Sequence, residues 1–126
     1  MKRLLTALAL TLLLAGLCIT GICTIHTQYE KMDSLLQQAV ACYEKAEMDR
    51  AADLAVEIEG QWVKVEQYLS LFVNHGSVDE VGASIAQLEP LALTGDDAAY
   101  LAACKNARLQ LLHIRENEEV NLLNIF

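Results

Sequence analysis

The sequence predicts an all-α protein, with an N-terminal transmembrane helix leading into an up-down-up-down four-helix bundle. Three observations carry that expectation. An uncharged apolar run fills residues 4–25, apolar residues beyond it recur at three-and-four spacing, and only 1 proline and 6 glycines punctuate the 126 residues. Strand-like alternation is absent.

The apolar run follows directly on Lys2 and Arg3. Its length matches the roughly 20 residues a helix needs to cross ~30 Å of hydrocarbon. The competing reading is a cleaved secretory signal, whose apolar part is usually about 7–15 residues long and ends in a small-x-small site. Here the best such site, Gly21-Ile22-Cys23, lies inside the run, and Leu17 and Ile22 before Cys18 and Cys23 do not suit lipoprotein processing. The run is therefore expected to remain as an uncleaved signal-anchor. Lys2 and Arg3 flank one end, against only Lys31 between Glu30 and Asp33 at the other. The positive-inside bias then keeps the N-terminus cytoplasmic and sends the rest outward. The expected organisation is a cytoplasmic stub at 1–3, a transmembrane helix at 4–25 and an extracytoplasmic helical bundle at 26–126, single-pass in the cell membrane.

From 27 to 47, Met32, Leu35, Leu36, Ala39, Val40 and Tyr43 mark one face of a helix. No breaker separates it from the anchor, so one long helix is expected to leave the bilayer and turn near Met48, with Asp49 as the next N-cap. A second helix over 50–73 carries Ala51, Ala55, Ile58, Trp62, Val65, Leu69 and Phe72 along one seam. Gly60 within it suggests a close backbone approach or a bend beside Trp62. Asn74-His75-Gly76 reads as a glycine stop and Ser77-x-x-Glu80 as a capping box for a third helix presenting Val78, Val81, Ile85 and Leu88. Pro90 ends or kinks that helix. Thr94-Gly95-Asp96 reads as a stop followed by a cap, opening a fourth helix lined by Tyr100, Leu101, Cys104, Ala107, Leu111 and Ile114.

Charge narrows the function classes. Of 9 basic and 17 acidic residues, Lys2 and Arg3 precede the anchor, which leaves 7 basic against 17 acidic and a net charge of −10 beyond it. A surface of that sign repels nucleic acid, so no nucleic-acid partner is expected. No helix-loop-helix calcium motif, H-E-x-x-H, glycine-rich phosphate loop or Cys-x-x-Cys occurs. The carboxylate pairs Asp79-Glu80 and Asp96-Asp97 fall where helix N-termini favour negative charge. His26, His75 and His113 are expected at the membrane-proximal end, without the i, i+4 pairing that sets two metal ligands on one helix face. No catalytic, metal or cofactor site is expected, and the chain is read as a non-enzyme.

Cys42 and Cys104 fall at similar heights on neighbouring helices. They are candidates for a disulfide in an oxidising compartment, or for small buried core residues. Gly16, Thr20 and Thr24 recur every fourth residue in the anchor, a candidate packing stripe for another transmembrane helix. The descending fourth helix delivers Leu122, Leu123, Ile125 and Phe126 to the bilayer surface, where three roles stay open: closing the core, lying in the interface, or docking a membrane partner.

The order Trp62, Phe72, His75, Asp79, Ile85, Leu88, then Ile114, Glu116 and the closing Asn124-Ile125-Phe126 after Leu122, on a chain with an N-terminal anchor, resembles a bacterial membrane family catalogued as domain of unknown function 4363. The likeness covers nearly the whole chain. It implies a short, single-anchor helical protein, typically of Gram-positive anaerobes, with no established activity and no catalytic residue to carry over. The expected function is a non-enzymatic interaction or accessory subunit of a membrane complex. The alternative is an extracytoplasmic ligand-sensing four-helix module. A polar, partly hydrated cavity between helices would favour sensing; a dry core with an exposed apolar foot would favour contact.

Overall fold

In the computed structural model, residues 1–71 and 73–125 are described, apart from the side chains at 119, 121–123 and 125. They form five helices: α1 (Lys2–Glu44), α2 (Met48–Leu69), α3 (His75–Ala86), α4 (Leu88–Thr94) and α5 (Asp97–Ile125). α1 packs against α2 and α5, while α3 and α4 pack against α2 and α5. The diagonal pairs, α1 with α3 or α4 and α2 with α5, make no close backbone approach, although the Tyr100 hydroxyl of α5 reaches the Ala51 carbonyl of α2. α3 and α4 thus act as one rod, and the four rods form a ring in chain order, the up-down arrangement that short connections impose.

α1 is unbroken for 43 residues. Its first part, through Cys23, is exposed, Thr24 lines a crevice with α2, and burial begins at Ile25 and Tyr29. At the far end Glu47 N–H donates to the Cys42 carbonyl (2.9 Å) and Ala46 N–H to the Tyr43 carbonyl (3.0 Å), with Ala46 left-handed at φ 59°. This is a Schellman stop without its usual glycine. Asp49 accordingly lies inside the first turn of α2, not at its cap, and favours that terminus by charge.

The 74–76 segment also departs from expectation. α2 stops at Leu69, and the Asn74 side chain caps α3 by accepting from Gly76 N–H at 2.8 Å. Gly76 therefore begins a helix instead of ending one, and Ser77 lies within α3, so the Ser77-x-x-Glu80 box does not form. Asn offers the better acceptor geometry two residues ahead of that N–H. Pro90 kinks the third rod: lacking an N–H and crowding the Ala86 carbonyl four residues back, it breaks the helix at Gln87. Gly95 (φ 70°) ends α4, and Asp96 caps α5 through Ala99 N–H at 3.2 Å, as expected.

The core is built from the predicted seams: Met32, Leu36 and Ala39 of α1; Ala55, Ile58, Trp62 and Val65 of α2; Val78, Val81, Ile85 and Leu88 of α3 and α4; Tyr100, Cys104, Ala107, Leu111 and Ile114 of α5. Leu101 is only half-buried, and Phe72 lies outside the described residues. The close approach beside Trp62 comes from Gly82, not Gly60. A Cβ at Gly82 would meet the Trp62 Nε1 at 3.1 Å, whereas one at Gly60 would meet open space. Gly60 is a solvent-facing helix position, and its spacing from Trp62 on the same helix never brought it to the interface.

Candidate functional site

Among the described residues the helical ring leaves a groove between α1 and α5. Tyr29, Glu30 and Asp33 form one wall; Lys105, Arg108, Leu109, Leu111, Leu112 and Arg115 form the other, around a volume of about 380 Å³. Leu109 and Leu112 are each about half exposed and give the groove an apolar strip. Arg108 crosses to Asp33, with Nε donating to Oδ1 at 2.7 Å and Nη2 to Oδ2 at 3.4 Å. The bidentate geometry fixes α5 against α1 and leaves a rim of both signs around an apolar strip.

Below this pair, towards the anchor, the Tyr29 hydroxyl donates to Glu118 Oε2 at 3.4 Å. Burial, then the Glu118 charge, hold the Tyr29 hydroxyl well above its ordinary range. Burial also raises the Glu118 carboxyl, against the lowering effect of the Tyr29 bond, and Glu118 Oε1 is buried with no partner among the described residues. A carboxyl whose folded pKa is raised favours the fold most fully below its unfolded pKa, and that contribution is lost as pH rises through the folded value. Glu118→Gln, neutral at every pH, is therefore expected to be more stable than the parent at about pH 7.5 and to lose that advantage near pH 4. Denaturant midpoints of both proteins across that range test this, and a difference that does not change with pH contradicts it.

On the opposite side of α1, the Gln61 amide nitrogen donates to Gln28 Oε1. Beneath them is a small apolar crevice lined by Thr24, Ile25, Gln28, Val65, Tyr68 and Leu69. Between α3 and α5, Ser84 Oγ donates to Gln110 Oε1 at 2.8 Å. Apart from these pins the interior is mainly apolar, although the Tyr43 hydroxyl and Glu118 Oε1 are buried without a hydrogen-bond partner among the described residues.

The sequence candidates separate by place. Gly16, Thr20 and Thr24 lie on the exposed part of α1, and the Thr20 and Thr24 hydroxyls each donate to the carbonyl four residues back at 2.8 Å. Thr6, Thr11 and Thr27 do the same, so each hydroxyl on this stretch is satisfied without water, as a hydrocarbon environment requires. Cys42 and Cys104 are free and buried at the far end of the bundle, so the candidate bridge is not formed here. Both interact with Tyr100, whose ring stacks on Tyr43 at 5.1 Å and whose hydroxyl lies 3.5 Å from the Ala51 carbonyl. Burial pushes the Cys104 thiol up to about 11, which keeps it an unreactive thiol. The side chains of Leu122, Leu123 and Ile125, and all of Phe126, lie outside the described residues. His26 bonds Glu30 at 3.1 Å, and His75 opens α3. Among the described residues no three His, Cys, Asp or Glu side chains gather where they could hold a metal ion.

The groove itself went unread in the sequence. Leu109 and Leu112 sit off the inner seam of α5, and their spacing from Lys105 and Arg108 was the available signal.

With this geometry in place, comparison with known proteins gives one match. The chain belongs to the family described as Domain of unknown function (DUF4363), over residues 19–125. The matched region opens at Ile19, inside the apolar run, so the shared unit includes the outer turns of α1 together with the bundle. No curated protein and no solved structure matches the chain.

Proposed function

We propose that this member of the DUF4363 family is a membrane-anchored, extracytoplasmic accessory subunit that works by contact, holding a helix of a membrane partner in its α1/α5 groove. The observation that carries the reading is the groove: a strip of exposed leucine bordered by charges of both signs, between the anchor-bearing helix and the last helix. A partner helix with an apolar stripe flanked by charged residues has matching chemistry. The net charge of −10 beyond the anchor turns away nucleic acid and anionic surfaces, which leaves apolar contact as the main attraction. The buried interior between the rods is largely apolar among the described residues, which supports contact over sensing.

Ligand sensing remains the second reading, because the groove's volume lies within the range of roughly 300–1,000 Å³ typical of small-molecule sites. Its charged groups count against it. Arg108 and Asp33 satisfy each other, so few polar groups are left to converge on a ligand.

Leu109→Asp combined with Leu112→Asp tests the contact reading. Both positions are surface-exposed, so the melting temperature should be essentially unchanged while crosslinking to a membrane partner in intact cells is lost. Recovery of only uncrosslinked chain from cells carrying the natural sequence, or undiminished crosslinking by the double variant, refutes it.

A further inference from the structure

The α2–α3 turn, at the end of the bundle nearest the anchor, differs in chemistry from the α1–α2 turn at the far end. Between Glu66 and Asp79 no charged residue occurs, the longest such interval beyond the apolar run. It contains the α2–α3 turn, where Tyr68 is 52 % and Leu71 74 % exposed. At the far end the α1–α2 turn carries Lys45 and Glu47, α2 has Asp49 in its first turn, and α5 opens on Asp96 and Asp97.

The crevice fixes the height of the uncharged turn. It is lined by Tyr68 and Leu69 of α2 and by Thr24 and Ile25, the last residues of the apolar run. α2 runs antiparallel to α1, so the residues after Leu69 lie still closer to the bilayer. Leu71 N–H donates to the Tyr68 carbonyl (3.3 Å) and Val73 N–H to the Leu69 carbonyl (2.8 Å), so the chain completes this turn before α3 starts upward at His75. Leu71 therefore stands level with the outermost turn of the run.

We infer that the α2–α3 turn is a second membrane contact, with Leu71 inserted at the boundary between acyl chains and headgroups and Tyr68 at headgroup level. This rests on the apolar run spanning the bilayer. Tyrosine suits that depth because its ring is apolar and its hydroxyl stays wet. The missing charge removes the desolvation cost that would otherwise keep an acidic protein off the surface. The bundle is then held at two points, α1 and the turn, and sits directly on the lipid with no stalk.

The test uses the full chain in phosphatidylcholine vesicles whose acyl chains are brominated either near the headgroup or near the methyl end. Trp62 is the chain's 1 native tryptophan and is 4 % exposed, so the parent protein supplies the baseline. Leu71→Trp should add emission that shallow bromines quench about twofold, consistent with an interfacial position. Leu93→Trp, 70 % exposed at the far end of the bundle, should add emission that neither lipid quenches. Leu14→Trp should be quenched by the deep bromines. If Leu14→Trp is quenched and Leu71→Trp is not, the turn does not touch lipid and the inference is overturned while the anchor stands. If Leu14→Trp escapes quenching, the anchor reading fails and the inference with it. Tyr68→Trp, one turn earlier, repeats the measurement should Leu71→Trp alter the fold by circular dichroism.

Discussion

Trp62→Ala is expected to lower the stability of the bundle by about 3–5 kcal/mol, the usual cost of removing a buried aromatic ring. Trp62 is in the middle of α2, almost wholly buried, and faces Gly82 across the α2–α3 contact. The absence of a side chain at Gly82 is what lets α3 come close enough for the indole to fill the space. Deleting the ring removes apolar contacts and leaves a hole that backbone on both sides cannot readily collapse into. Urea unfolding in mild detergent, followed by helical circular dichroism, gives the difference directly. A loss below about 1 kcal/mol would mean the site relaxes freely, which a core packed to ordinary density does not allow.

Leu14→Arg is expected to shift the protein out of the membrane fraction. An arginine at the centre of a spanning helix costs about 2.5–3.5 kcal/mol of insertion free energy, or roughly a hundredfold in the insertion equilibrium. Nothing in the protein offsets that cost, because the apolar segment of α1 is 0 % buried against the remainder of the chain. The parent protein should resist alkaline extraction from membranes and keep its full mass. A parent chain trimmed near residue 24, or a Leu14→Arg variant that stays embedded, contradicts the signal-anchor reading.

The architecture was legible because a bundle's core is written at helical spacing. Met32, Leu36, Ile58, Val65, Val81 and Ile85 all face inward as their periodicity requires. The turns were less legible. At Ala46 a left-handed residue stops α1 where no glycine announces it, and at Asn74 a cap precedes the glycine that looked like a stop. Both outcomes depend on where the next helix must begin in order to pack, which local sequence does not encode. Gly82 shows the same limit. Its role lies in a contact across two helices, whereas Gly60 was singled out for closeness to Trp62 along the chain. The groove was hidden for a related reason: Leu109 and Leu112 look like ordinary helix residues until α1 and Asp33 are set beside them.

The continuity of α1 has a mechanical consequence. With the apolar run spanning a bilayer, as proposed, and no joint between it and the bundle, the rod acts as a lever pivoted there. The part of α1 beyond residue 25 is about 30 Å long at 1.5 Å per residue, so a typical 20° tilt carries its far end sideways by roughly 10 Å. A swing about the rod's own axis turns the α1/α5 groove through the same angle, with no slack. A neighbour that grips the anchor therefore also sets the compass bearing of the groove above it.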